Sequence, residues 1–243
     1  MDALNNFLYI GLPYIAIVIS VVGCIYRYRS KGFKVSSLSS QFLNSDSVFF
    51  GSMMFHWSIL ILFLAHLLAF LFPGTVLALN SNPVNLVIYE SVGFMFGLGA
   101  LFGLTWLFIR RMTNERVRVV TSGMDIFIEL LILVQFVLGC WIAIRYHWGS
   151  SWFAAVLSPY LWSLLKLAPQ IEGVSNLPSG VIMAHIAIAF VILGLIPFTR
   201  LVHFLVAPFH YISRPYQQVM WHWDRKRVRA ASTAWSEARP KSN

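Results

Sequence analysis

Residues 48–72, VFFGSMMFHWSILILFLAHLLAFLF, form one continuous apolar run that contains two histidines, His56 and His66. A helix needs about 20 predominantly apolar residues to cross the hydrocarbon core of a bilayer. Four further runs qualify, at about residues 3–26, 91–109, 126–144 and 179–207. Backbone polar groups in lipid must be paired within their own segment, and the strict alternation of a barrel strand is absent. The sequence therefore predicts an all-α fold, a five-helix transmembrane bundle.

The composition excludes an ordinary water-soluble protein. Hydrophobic residues occupy 58% of the 243 positions and charged residues 11%, whereas soluble domains carry about 25% charged residues. The two cysteines, Cys24 and Cys140, lie in apolar runs, which disfavours a disulfide framework or a cysteine-ligated metal centre. The first apolar run is too long for a signal-peptide core and lacks a clear cleavage site, so we expect a retained helix.

The basic residues predict the orientation in the membrane. All but two of the 18 Lys and Arg residues fall on one side of the predicted spans, and the exceptions are Arg145 and Lys166. The positive-inside rule then places the C-terminus in the cytoplasm and the N-terminus outside. We expect residues 1–207 to form the membrane domain. Residues 208–243 form a basic cytoplasmic tail that either contacts anionic lipid or docks on a cytoplasmic partner.

Two other features have alternative interpretations. The long connection between Arg145 and Pro178 is rich in Trp and Tyr; it is either an interfacial aromatic helix or a cover over a ligand site. Glu129 lies near the start of the fourth span, where the helix dipole stabilises an acid, although a proton-relay role is also possible.

Four histidines lie inside the predicted spans, His56 and His66 in the second and His185 and His203 in the fifth. Ionisable groups at membrane depth are costly and suggest function. The two spans run in opposite directions, so depth matching pairs His56 with His203 and His66 with His185. Imidazole is a good ligand for haem iron, and the two pairs predict two b-type haems. Structural histidines, a haem-free anchor and a histidine-dependent proton or metal transporter are the alternatives.

The spacing of the histidines complicates this pairing. At about 1.5 Å per residue, His56 and His66 are about 15 Å apart, and His185 and His203 about 27 Å. Tilted helices or a kink at Pro197 would reconcile the two separations. Arg200, one turn before His203, is either a partner of haem propionates or a residue whose side chain extends to the headgroups.

With these four histidines, the chain resembles the gamma subunit of respiratory nitrate reductase, a membrane dihaem cytochrome b. The resemblance depends on the ten- and eighteen-residue histidine spacings and on four segments: SSQFL at 39–43, FHWSILILFLAH at 55–66, RVRVVTSGMDI at 116–126 and PFTRLVH at 197–203. It implies that quinol is oxidised at the outer side, where its protons are released. It also implies a distal haem on His66 and His185 and a proximal haem on His56 and His203.

The same resemblance implies partners and a location. An iron–sulfur beta subunit takes the electrons, and a molybdenum alpha subunit reduces nitrate on the cytoplasmic side of a bacterial or archaeal cytoplasmic membrane. Membrane lipid is the other expected partner, and no nucleic acid is expected. Alternatives within this chemistry are another cytoplasmic redox partner, such as a heterodisulfide-reductase-like protein, and reversed flow in a nitrite-oxidising complex.

The sequence departs from the family in one segment. Some members carry a lysine near the outer start of the third span, but here the stretch is NLVIYE, residues 85–90. Asn85, Tyr89 and Glu90 are the polar groups available there, and they are the candidate quinol-binding residues.

Overall fold

The computed structural model describes residues 2–31, 35, 46–175 and 179–206, and within them the chain is helical and contains no β-strand. Five helices are long and apolar enough to span a membrane, as predicted. Four are α1 (residues 2–31), α2 (Asp46–Leu71), α4 (Pro83–Thr113) and α6 (Gly123–Arg145). The fifth, Gly180–Phe198, consists of α9 (Gly180–Leu195) and a 3-10 turn. Shorter helices connect them: α3 (Pro73–Asn80), α5 (Glu115–Val119), α7 (residues 149–165) and α8 (Glu172–Ser175). The predicted tail, residues 208–243, and the SSQFL segment lie outside the described residues.

Helix α4 begins at Pro83, eight residues before the predicted start at Ser91. Asn82 caps it, because its side chain accepts a hydrogen bond of 2.9 Å from the Val84 N–H. Proline suits the first helical position, because the backbone N–H that it lacks would have no intrahelical acceptor there. The predicted start was therefore wrong, and Asn85, Tyr89 and Glu90 lie in the first turns of α4.

The spanning helices pack in the order α2, α4, α6, α9, α1. Small residues allow the close approach of α2 and α4. A Cβ atom on Gly103 would lie 2.7 Å from the Phe55 backbone nitrogen, and one on Gly99 would lie 2.5 Å from the Ser58 hydroxyl oxygen. These glycines serve helix packing in a membrane, where small residues bring backbones together.

The sequence predicted one continuous helix for the fifth span, up to residue 207. The structure does not show this. α9 ends at Leu195, a 3-10 turn covers Ile196–Phe198, and a second 3-10 segment runs over Arg200–Val206. Thr199 between them is extended, with φ −116° and ψ 176°. Pro197 has no N–H for the helical ladder and its ring clashes with the preceding turn, so the helix breaks there.

Helix α7 is packed on the bundle at the end away from the basic loops, which we call the aromatic end. The Ser158 hydroxyl donates to the Ala69 carbonyl at 2.9 Å, and Trp162 Nε1 donates to the Phe70 carbonyl at 3.0 Å. The Tyr160 hydroxyl donates to the Tyr9 carbonyl at 2.6 Å, and burial raises the pKa of Tyr160 above its ordinary value. These contacts favour a cover over the end of the bundle.

Candidate functional site

Two histidines from different parts of the chain meet near the opposite end of the bundle, the basic end. The ring centroids of His56, on α2, and His203, in the 3-10 segment after α9, are 6.4 Å apart. Histidine nitrogens bind transition metals at about 2 Å. Two imidazoles on opposite sides of one metal therefore have centroids about 6.3 Å apart. The separation fits one metal ion held between the two rings.

The hydrogen bonds of these rings fix their tautomers. His56 Nδ1 lies 2.8 Å from the Ser52 carbonyl oxygen, and His203 Nδ1 lies 2.6 Å from the Arg200 carbonyl oxygen. A carbonyl only accepts, so Nδ1 carries the proton in both rings and Nε2 keeps its lone pair. This is the form in which histidine binds a metal, with the other nitrogen held by a carbonyl.

The helices that carry the histidines are not packed directly on each other. α2 packs on α4, whereas α9 packs on α1 and α6. His56 and His66 are both exposed on α2, and a groove of about 280 Å³ runs beside His56, lined by Ser52, Met53, Trp57 and Leu60. This groove is lined by residues of α2 alone, and it gives a flat group access to the exposed His56 ring.

The second pair lies nearer the aromatic end. His66 Nδ1 lies 2.8 Å from the Leu62 carbonyl oxygen, which fixes the same tautomer. The His66 ring meets Phe153 of α7 edge to face, with centroids 5.3 Å apart. His185, on α9, lies against α6, where a Cβ atom on Gly139 would be 3.2 Å from its Cε1.

His185 differs from the other three histidines. Its Nε2 lies 3.4 Å from the side-chain nitrogen of Gln135, which also donates to the His185 carbonyl at 3.1 Å. Its Nδ1 is buried and has no hydrogen-bond partner. Because the Gln135 side-chain N–H can only donate, Nε2 accepts and the neutral ring carries its proton on Nδ1, where the buried N–H has no acceptor and is costly. A metal bound through Nε2 would take the place of the Gln135 contact.

The candidate quinol residues lie beside this second pair. The Tyr89 hydroxyl donates to the Ala65 carbonyl at 3.3 Å, one residue before His66. Glu90 accepts hydrogen bonds from the backbone N–H of Ser150, at 2.7 Å, and from its hydroxyl. Asn85 is exposed one turn before Tyr89. The first turns of α4 thus link the His66 region to the start of α7.

Arg200 lies at the basic end in an ion pair. Its Nε is 2.8 Å from Asp125 Oδ1, and its Nη2 donates to the Val120 carbonyl at 2.7 Å. Asp125 also caps α6 by accepting from the Ser122 N–H at 2.9 Å. Glu129, one turn further along α6, is paired with Arg111, whose Nη2 is 2.8 Å from its Oε1.

The model of a family described as nitrate reductase gamma subunit matches residues 5–222. The chain belongs to the nitrate reductase gamma subunit family. Members of this family are subunits of respiratory nitrate reductase, an oxidoreductase complex, and this gamma subunit is a multi-pass membrane protein.

The relatives cover most of the chain. The nitrate reductase gamma chain of Bacillus subtilis is 31% identical over 211 residues, which are 84% of this chain and 93% of the relative. The respiratory nitrate reductase 2 gamma chain of Escherichia coli is 31% identical over 220 residues, 89% and 96% of the two chains. The nitrate reductase-like protein NarX of Mycobacterium tuberculosis is 28% identical over 223 residues, 88% of this gamma subunit and 34% of that protein.

Sequence reasoning missed several residues around the histidines of this gamma subunit. Gln135, Phe153 and Ser150 were not singled out, although each contacts a candidate residue. Asp125 was quoted in a motif but was not predicted to pair with Arg200. No local sequence pattern predicts such contacts, since each joins residues that are distant in the sequence.

Proposed function

We propose that this gamma subunit is a dihaem cytochrome b that carries electrons from quinol to the cytoplasmic subunits of a nitrate reductase-type complex. The iron–sulfur beta subunit takes the electrons from it, and the molybdenum alpha subunit reduces nitrate. The observation that carries the proposal is the His56–His203 pair, with centroids 6.4 Å apart and both Nδ1 atoms turned to carbonyls. The family membership supports the choice of partners.

The histidines have defined roles in this proposal. His56 and His203 hold one haem b, and His66 and His185 hold the other. A haem b held by two histidines would supply one-electron transfer there. The Ser52, Leu62 and Arg200 carbonyls orient three of the rings and raise their basicity as ligands. Arg200 is a further candidate contact for the propionates at the basic end.

The orientation follows from the charges. Arg27, Arg111 and Arg200 lie at the same end of the bundle as the His56–His203 pair, and the positive-inside rule assigns that end to the cytoplasm of a bacterial or archaeal cell. The N-terminus is then outside, and the His66–His185 pair lies in the outer half of the cytoplasmic membrane.

Quinol oxidation needs groups that accept two protons at the outer side. Glu90 is a carboxylate held by Ser150 at the start of α7, and Tyr89 brings a hydroxyl to the turn that carries His66. We assign proton acceptance to Glu90 and orientation of a quinol oxygen to Tyr89. Asn85, one turn nearer the membrane surface, completes the polar set.

The haem content of the purified full-length chain tests the proposal. A pyridine haemochrome assay should give two haems b per gamma subunit. His147→Ala is the matched control, because His147 is exposed outside the spanning helices and its loss should leave both haems. A ratio of zero would refute the proposal, and a ratio of one would refute the pairing of the histidines.

A further inference from the structure

The break after α9 leaves backbone carbonyls without helical partners. The Pro197 and Thr199 carbonyl groups lie where the chain leaves one 3-10 turn and enters the next. Unpaired backbone groups at membrane depth are costly and must be satisfied by protein. Arg27, near the end of α1, satisfies both, because its Nη1 donates to the Pro197 oxygen and to the Thr199 oxygen at 2.7 Å each.

The packing of α1 against the break is equally close. A Cβ atom on Gly23, one turn before Arg27, would lie 2.8 Å from Cγ and 2.9 Å from Cβ of Pro197. Real Cβ atoms do not approach that closely, so only glycine at position 23 lets the proline ring rest on α1. Arg27 and Gly23, one helical turn apart on α1, thus contact the same short segment, residues 197–199.

The segment that Arg27 and Gly23 contact lies just before His203, a proposed haem ligand. Thr199 is followed by Arg200, whose carbonyl oxygen accepts the Nδ1 proton of His203 at 2.6 Å. The Arg200 side chain is tied to Asp125 of α6. The backbone before His203 is therefore fixed by α1 on one side and by α6 on the other.

We propose that Arg27 is a positioning residue for the proximal haem ligand His203, acting through the Pro197 and Thr199 carbonyls. This inference depends on the proposed function, since it takes His203 as a haem ligand. Without the two hydrogen bonds, the buried carbonyls must find water or other donors. The 200–206 segment then shifts, and the His203 ring no longer meets His56 at the separation that one metal requires.

The test compares two substitutions at Arg27, one at Arg29 and one at Gly23, each in the chain purified with its partner subunits. Arg27→Gln removes the guanidinium group that donates to both carbonyls. Arg27→Lys keeps the positive charge and an N–H donor on a side chain of similar length. Arg29→Gln is the matched control, because Arg29 is exposed two residues further along the same helix. Haem content and the EPR lines of the two low-spin haems are measured in each variant and in the wild-type protein.

We expect Arg27→Gln to lower the haem ratio from two toward one, with loss or displacement of the proximal line alone. Arg27→Lys should restore most of that line, and Arg29→Gln should match wild type. Gly23→Val, which pushes Pro197 away from α1, should affect the same line. Wild-type spectra in Arg27→Gln, or equal loss of both haems, would overturn the inference. Absence of haem from the wild-type chain would instead refute the proposed function.

Discussion

At the scale of single residues, the tautomers of the histidines are the most informative feature. In His56, His66 and His203 the Nδ1 atom faces a backbone carbonyl three or four residues earlier. A ring held in this way presents Nε2 away from its own helix. If these histidines are the haem ligands that we propose, local backbone contacts already set the tautomer that such ligands need.

The two pairs should be separable by mutation. His66→Ala and His185→Ala should each remove the EPR line of the same haem, and His56→Ala and His203→Ala should each remove that of the other. Each change would leave one iron with a single histidine, so its low-spin EPR line should be lost whether or not the haem itself stays bound. EPR on purified variants identifies the lost line. Identical spectra for the His56 and His66 variants would contradict the assignment of these two residues to different haems.

Gln135 should act on the distal site alone. Its side-chain nitrogen lies 3.4 Å from His185 Nε2 and holds the His185 carbonyl at 3.1 Å. Gln135→Leu keeps the volume and removes these contacts, so we expect the EPR line of the distal haem to move while the proximal line stays. Gln170→Leu, an exposed glutamine in the connection after α7, serves as the control. A shift confined to the proximal line would show that Gln135 acts elsewhere.

At the scale of elements, the break in α9 accounts for the unequal spacing of the histidines. His185 to Leu195 is ten residues of helix, about 15 Å, the same rise as from His56 to His66 on α2. A continuous helix would carry His203 about 12 Å further, past His56. The break at Pro197 turns the chain instead, and His203 meets His56.

The sequence predicted this element only in part. Hydropathy gives the five spans, since length and apolar composition are properties of each segment. Pro197 indicated a kink, but the extended Thr199 and the 3-10 segment depend on Arg27 and Asp125, which lie 172 and 75 positions away in the chain. Such contacts follow from helix packing and cannot be read from local patterns.

The Arg200–Asp125 pair between the 200–206 segment and α6 should set the potential of the proximal haem. A positive charge favours the reduced state and a negative charge the oxidised state. Arg200→Gln should lower the midpoint potential, Asp125→Asn should raise it, and the double variant should shift it less than either. Asn keeps an acceptor for the Ser122 cap, and the exposed Glu115→Gln is the control. Single variants that shift the potential in the same direction would contradict this account.

At the scale of the whole molecule, the row of helices from α2 to α1 leaves α2 and α9 unpacked on each other, with α7 across one end. This arrangement separates two histidine pairs by depth along one gap. The sequence predicted the depths of the four histidines from the spans alone. It left open whether the connection that contains α7 is an interfacial helix or a cover, because aromatic side chains suit a lipid interface as well as a protein contact.

The aromatic end should be where quinol reacts. A quinone head is flat and apolar with two polar oxygens, and it needs a slot with a few hydrogen-bond partners. Glu90→Gln removes the proposed proton acceptor and should lower quinol oxidation at least about tenfold, in the range of general-base loss. Tyr89→Phe removes one hydrogen bond and should lower the rate of quinol oxidation about two- to tenfold. Glu172→Gln changes an exposed carboxylate near the same end and should retain the full rate.

A quinol analogue should perturb the EPR line of the distal haem and leave the proximal line unchanged, since Tyr89 contacts the turn of His66. In the proposed function, protons are released outside while electrons move inward, so turnover in proteoliposomes should build a membrane potential. Full activity in both variants, or a response of the proximal line alone, would place the quinol site elsewhere in the bundle.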